Sequence, residues 1–145
     1  MLINWIQDTP TMGKSSETEM EHKREVGSIV QQFLYRLPKK NHEAMIQLEK
    51  QFADAFRRNG GLGYEVFQLN GTENMMEWTN IAKTMSANQD EEIWVEQVHY
   101  RDSKQRDEFM AMCGKEENTT RLYKQCMDLI TPGSTIMGEL NRLEI

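Results

Sequence analysis

The stretch GSIVQQFLYRLPKKNHEAMIQLEKQFADAFRRNGG, residues 27–61, decides the fold. Its first part, Gly27 to Leu37, is dense in β-branched and aromatic residues. Ile29, Phe33, Tyr35 and Leu37 share one side at a period of two, and Val30 and Leu34 share the other. That pattern predicts a strand buried on much of both faces. Pro38 lacks an N–H and ends the ladder. The period then changes. Asn41 suits a helix N-cap and Glu43 the first turn. Ala44, Met45, Leu48, Phe52, Ala55 and Phe56 recur at helical spacing, Arg57 and Arg58 suit the C-terminal dipole, and Gly60-Gly61 stop the helix.

Downstream, Leu62 to Leu69 reads as a second strand, closed by the turn signal Asn70-Gly71. Thr72 to Asp90 is too long for plain coil in a compact domain. Trp78 to Met85 is expected to be a short extended piece, with Met75, Met76 and Trp78 packing on the body. Glu92 to Tyr100 is a third strand. Asp102 or Ser103 caps a helix carrying Phe109, Met110 and Met112, which Gly114 breaks. Asn118 or Thr119 caps another, with Leu122, Tyr123, Cys126, Leu129 and Ile130, ended by Pro132-Gly133. Thr135 to Ile145 is the last strand.

The order β-α-β-β-α-α-β predicts an α+β fold of ferredoxin-like, split βαβ type. It implies a four-stranded antiparallel sheet with helices on one face. The bare face would expose apolar side chains, and a second copy laid sheet to sheet is the simple cover, so a homodimer is expected. Residues 26–145 form a single domain in this reading. Residues 1–25, polar apart from Leu2, Ile3, Trp5 and Ile6 near the start, are expected to be a mobile extension.

Composition narrows the function classes. The chain has 145 residues, 38% hydrophobic and 28% charged, which fits one globular domain. A formal charge of −6 repels phosphate backbones, and the basic pairs Lys39-Lys40 and Arg57-Arg58 are helix-end charges, so no nucleic-acid partner is expected. No window of about 20 apolar residues predicts a membrane span. The N-terminus lacks the features of an export signal, and Cys113 and Cys126 are too few for a disulfide framework. A cytoplasmic location with reduced thiols is the expectation.

Chemistry-bearing motifs are sparse. His22, His42 and His99 have no second ligand at metal-site spacing, so no metal and no cofactor is expected. Gly60-Gly61-Leu62-Gly63 follows a helix and precedes a strand, the reverse of a phosphate loop. Ser134 lacks a nucleophile elbow. The third strand is more informative. Trp94, Glu96, Val98 and Tyr100 alternate onto one face, and Val95, Gln97 and His99 onto the other. A carboxylate or imidazole among apolar strand residues must be solvated, paired or shifted in pKa. The ligand-pocket candidates are therefore Tyr35, Tyr64, Trp94, Glu96 and His99, a set able to orient a small apolar or aromatic molecule and move a proton. No catalytic residue is assigned. The alternative is that these groups bridge the dimer or face solvent, in a non-catalytic protein-interaction module.

Four segments carry a family resemblance: Leu37-Pro38-Lys39-Lys40-Asn41 at the strand-to-helix junction, Asn59-Gly60-Gly61-Leu62 with Tyr64, Tyr100-Arg101-Asp102 with Arg106-Asp107, and Met137-Gly138. Together, over roughly Val26 to Ile145, the chain resembles the YbaA-like family, domain of unknown function 1428. That family is similar to the dimeric α+β barrel proteins, which include cofactor-independent monooxygenases, isomerases, haem-binding proteins and stress-response proteins. The resemblance implies the fold and the dimer. It implies no reaction and no catalytic residues, since the family has no established activity.

Overall fold

A computed structural model describes residues 27–145. The expected extension, residues 1–25, lies outside the described residues. In chain order the elements are β1 (Ile29–Pro38), α1 (His42–Arg58), β2 (Gly63–Gln68), α2 (Ile81–Thr84), β3 (Glu91–Tyr100), α3 (Ser103–Cys113), α4 (Glu117–Leu129) and β4 (Ile136–Asn141). The strands form one antiparallel sheet in the order β2-β3-β1-β4. This is the expected α+β arrangement.

The register sorts the side chains into two faces. Tyr35 pairs with Trp94, Phe33 with Glu96 and Gln31 with Val98, while Tyr64 and Val66 lie opposite Val98 and Glu96. Alternation turns all of these toward the helices. There Tyr35, Leu37, Trp94, Met45, Leu48, Leu122, Cys126 and Ile130 form one core between the sheet, α1 and α4. Burying one such aliphatic side chain contributes about 1.5–3 kcal/mol. Ile29, Val98 and Tyr100 form a second cluster with Phe56, against which Phe109 of α3 packs.

The helix ends follow local chemistry. At the end of α1 the Gly60 N–H donates to the Arg57 carbonyl (3.1 Å) and the Gly61 N–H to the Phe56 carbonyl (3.0 Å). This Schellman pattern requires the left-handed residue that Gly60 supplies, at φ +84°. Asp102 caps α3, accepting from the Gln105 N–H at 2.9 Å. Asn41 behaves differently from the expectation. Its side chain does not cap α1. Its amide instead donates to the Leu129 carbonyl (2.8 Å), closing the last turn of α4 and tying the two helices together.

The segment after β2 also departs from the extended piece expected at Trp78 to Met85. Met75 and Trp78 exchange two backbone hydrogen bonds across a tight turn, with Met76 at φ +54°. Asn80 then caps the short α2. Met75, Met76 and Trp78 are 66%, 85% and 67% exposed and do not pack on the body. The turn projects them outward, and none of the three joins either buried cluster.

Candidate functional site

Four ionisable side chains meet where α1 crosses the sheet. Tyr35 projects from β1, Tyr64 from β2, Glu96 from β3 and Glu49 from α1. The Tyr35 hydroxyl donates to Glu49 Oε1 at 3.1 Å, and the Tyr64 hydroxyl to Glu49 Oε2 at 2.6 Å. Glu96 Oε1 lies further from the same hydroxyls, at 3.4 and 3.3 Å. The two carboxyls are thus bridged by the same pair of hydroxyls. No ion pair among the described residues includes either carboxyl.

The electrostatic result follows from the geometry. Burial, and then the hydrogen bond to Glu49 and its charge, push the Glu96 carboxyl well above the ordinary carboxylate range, outweighing the two tyrosines. Burial and the two carboxyls likewise drive the Tyr35 and Tyr64 hydroxyls far up, so both remain donors. The arrangement is two carboxyls held together in a low-dielectric layer, with the shorter approach of each phenol made to Glu49. Such pairs suit general acid–base chemistry.

The residues singled out in the sequence divide between the two faces. Tyr35, Tyr64 and Glu96 come together in this cluster. Trp94 stacks on Tyr35 at 6.4 Å between ring centroids, and its indole N–H donates to Glu92 (3.0 Å), which also holds His42 at 2.8 Å. His99 is not part of the group. It lies on the other face of the sheet, leaning over Gly63, with Nε2 3.1 Å from Glu65 Oε1. Glu96 and the tyrosines thus point toward the helices and away from the other face of the sheet.

Sequence reasoning missed Glu49. The signal was present: residue 49 lies four positions after Met45 and three before Phe52, within the apolar stripe of α1. A glutamate there must be buried, and Glu49 is 5% exposed. A hollow between α3 and the end of α1, of about 370 Å³, is lined by Asn59, Gly60, Arg101, Gln105 and Glu108 among others. Its charged members are exposed, so it lacks the perturbed chemistry of the buried cluster. No group of three or more metal-ligating side chains occurs among the described residues. No described helix is long and apolar enough to cross a membrane.

Residues 28–129, which contain all four members of the cluster, match the family described as Protein of unknown function (DUF1428). The chain belongs to this family. The DUF1428 match runs from β1 to the end of α4 and leaves β4 outside it. No curated protein matches the chain. Among solved structures, a de novo designed protein, Foldit4, is similar at 11% identity, with a TM-score of 0.40, over 81% of this chain and 99% of that one.

Proposed function

We propose that this DUF1428 protein works as a homodimer of the dimeric α+β barrel type. In each subunit a small apolar or aromatic molecule bearing a hydroxyl or carbonyl binds at the Glu49–Glu96 pair, which moves a proton on it. The observation that carries the reading is the buried pair itself. Two carboxyls and two phenols hydrogen-bonded together, without an ion-paired cation, cost stability that a purely structural core avoids with apolar residues. Glu49 is the base and Glu96 the acid. Transfer of a carbon-bound proton to Glu49 and return of a proton from Glu96 to the carbonyl oxygen gives a tautomerisation that balances without a cofactor.

The dimer is supported by an apolar row on the face of the sheet turned away from α1 and α4. Phe67, Val95, Leu34 and Ile136 lie in register as one row across all four strands. Phe67 and Ile136, at its ends, are exposed. A second copy would cover the row.

The test uses para-hydroxyacetophenone, an apolar ring with a phenol and an enolisable ketone. The full chain is incubated with it in deuterium oxide, and proton NMR follows deuterium uptake into the methyl group. Uptake faster than in buffer, and lost in Glu49→Gln, supports the reading. Uptake equal to buffer, with no shift at Tyr35, Tyr64 or Trp94 resonances, rejects this molecular class.

The second reading is a non-catalytic interaction module. The turn at Met75–Trp78 favours it, because it presents two methionines and a tryptophan to solvent on a hydrogen-bonded scaffold. A chain that folds, dimerises and shows no uptake would shift weight to it.

A further inference from the structure

The same four residues also join a helix to a sheet. Glu49 is the one member on α1, and Tyr35, Tyr64 and Glu96 belong to three adjacent strands. Each phenol carries a single hydrogen, and its shorter approach is to Glu49. Glu49 therefore receives both phenolic donors. Glu96 is left with the longer contacts to the same two hydroxyls, beside the Glu49 carboxyl. An ionised Glu96 would face the charge of Glu49 with no donor committed to it. A neutral Glu96 donates to Glu49 and completes the network. The groups that face the pair are Tyr35 of β1, Tyr64 of β2 and the Cys126 thiol of α4, whose own ionisation is suppressed by burial and by both carboxyls. None of them supplies positive charge.

We infer that Glu49 and Glu96 hold one proton between them, that this proton fastens α1 to the sheet, and that rising pH, by drawing it away, loosens the helix and opens the cluster. The inference goes beyond the ligand reading and does not depend on it. The sign is set by linkage. A carboxyl whose folded value is raised contributes stability that is complete below its unfolded value of about 4.3. That stability falls as pH rises through the window up to the folded value. The cluster is therefore held most tightly in acid, and its opening becomes progressively easier as pH rises through that window.

The test is NMR of the glutamate carboxyl carbons in the full, ligand-free chain, from about pH 5 to about pH 10, spanning the ordinary carboxylate range and well above it. Amide exchange along α1 is followed in parallel, with the intrinsic rise of exchange with pH divided out. The expected result is one neutral carboxyl at neutral pH and one later ionisation step. Below that step α1 amides exchange progressively faster as pH rises, by at least about tenfold in all relative to those of β1, and the gain levels off above it. In Glu96→Gln the step disappears and α1 exchange stays level. In Glu49→Gln the step moves to lower pH, because the neighbouring charge is gone. Wild type and Glu49→Gln carry the test if Glu96→Gln does not fold. Two ionised carboxyls at neutral pH would overturn the shared proton. Relative α1 exchange that stays level throughout the pH range up to the step would overturn the latch. Neither result depends on ligand binding, so failure here and failure of the tautomerisation assay are separate.

Discussion

Tyr64→Phe removes one oxygen and leaves the ring. The ring packs 5.8 Å from Phe56 between centroids, and that contact survives. What is lost is the 2.6 Å hydrogen bond to Glu49 Oε2, made within a layer where Glu49 is 5% exposed. A hydrogen bond to a charged group contributes about 1.5–3 kcal/mol, and water cannot readily replace it here. The contact with Glu96 adds little, since the hydroxyl has one hydrogen and the Glu96 approach is the longer, at 3.3 Å. The expected loss is about 2 kcal/mol, which for a domain of this size lowers Tm by roughly 4–8 °C. Urea unfolding followed by tryptophan fluorescence measures it, with an unchanged slope showing that the fold is retained. Tyr35→Phe should cost less, because its bond to the same carboxylate is 3.1 Å. The double variant should depart from the sum of the single losses by at least about 0.5 kcal/mol, since both hydroxyls share one acceptor. A Tyr64→Phe protein within about 0.5 kcal/mol of wild type would refute the buried network.

Other perturbations probe the frame around the site. In Gly61→Ala the new Cβ would stand 2.1 Å from the Phe56 ring, itself locked among Tyr64, Tyr100 and Phe109, so a loss of about 1–3 kcal/mol is expected in the same unfolding assay. Glu91 is pushed up by burial. Its hydrogen bonds from Thr131 (2.6 Å), the Asn88 N–H (3.0 Å) and Arg36 (3.1 Å) outweigh that and bring its carboxyl below the ordinary value. Its contribution is present above the unfolded value of about 4.3 and is lost as pH falls through the folded one, so Glu91→Gln should be less stable at neutral pH, with the gap closing in acid titration. Phe67→Glu places a charge at the exposed end of the Phe67–Ile136 row, so under the proposed homodimer analytical ultracentrifugation should show the mass fall from about twice 17.0 kDa to one chain. Trp78→Ser should change stability by less than about 0.5 kcal/mol, because that side chain stands in solvent, and thermal unfolding checks it.

The fold was largely legible in the chain because its local signals agree with one another. Period-two apolar runs gave the strands, the stripe from Met45 to Phe56 gave α1, and Gly60-Gly61 marked its end. The exceptions have identifiable competitors. Asn41 has the chemistry of a cap, but α4 brings an unsatisfied carbonyl within 2.8 Å of its amide, a contact 88 positions away in sequence. Met75, Met76 and Trp78 are apolar enough for a core, yet the turn they form carries them into solvent.

The site divides in the same way. Alternation along β3 is a local property, so the sequence by itself determined that Trp94 and Glu96 share one face of that strand and that His99 takes the other, while the register put Tyr35 of β1 opposite Trp94. It also placed Glu49 within a buried helical stripe, although that signal was passed over. Only the tertiary structure decided that Glu49 meets Glu96. The two residues are 47 positions apart on different elements, and their encounter depends on where α1 crosses the sheet and on β2 bringing Tyr64 beside them. Periodicity reports which side of an element is buried. It carries no information about which buried side chains from separate elements touch, and the shifted carboxyl exists only because these do.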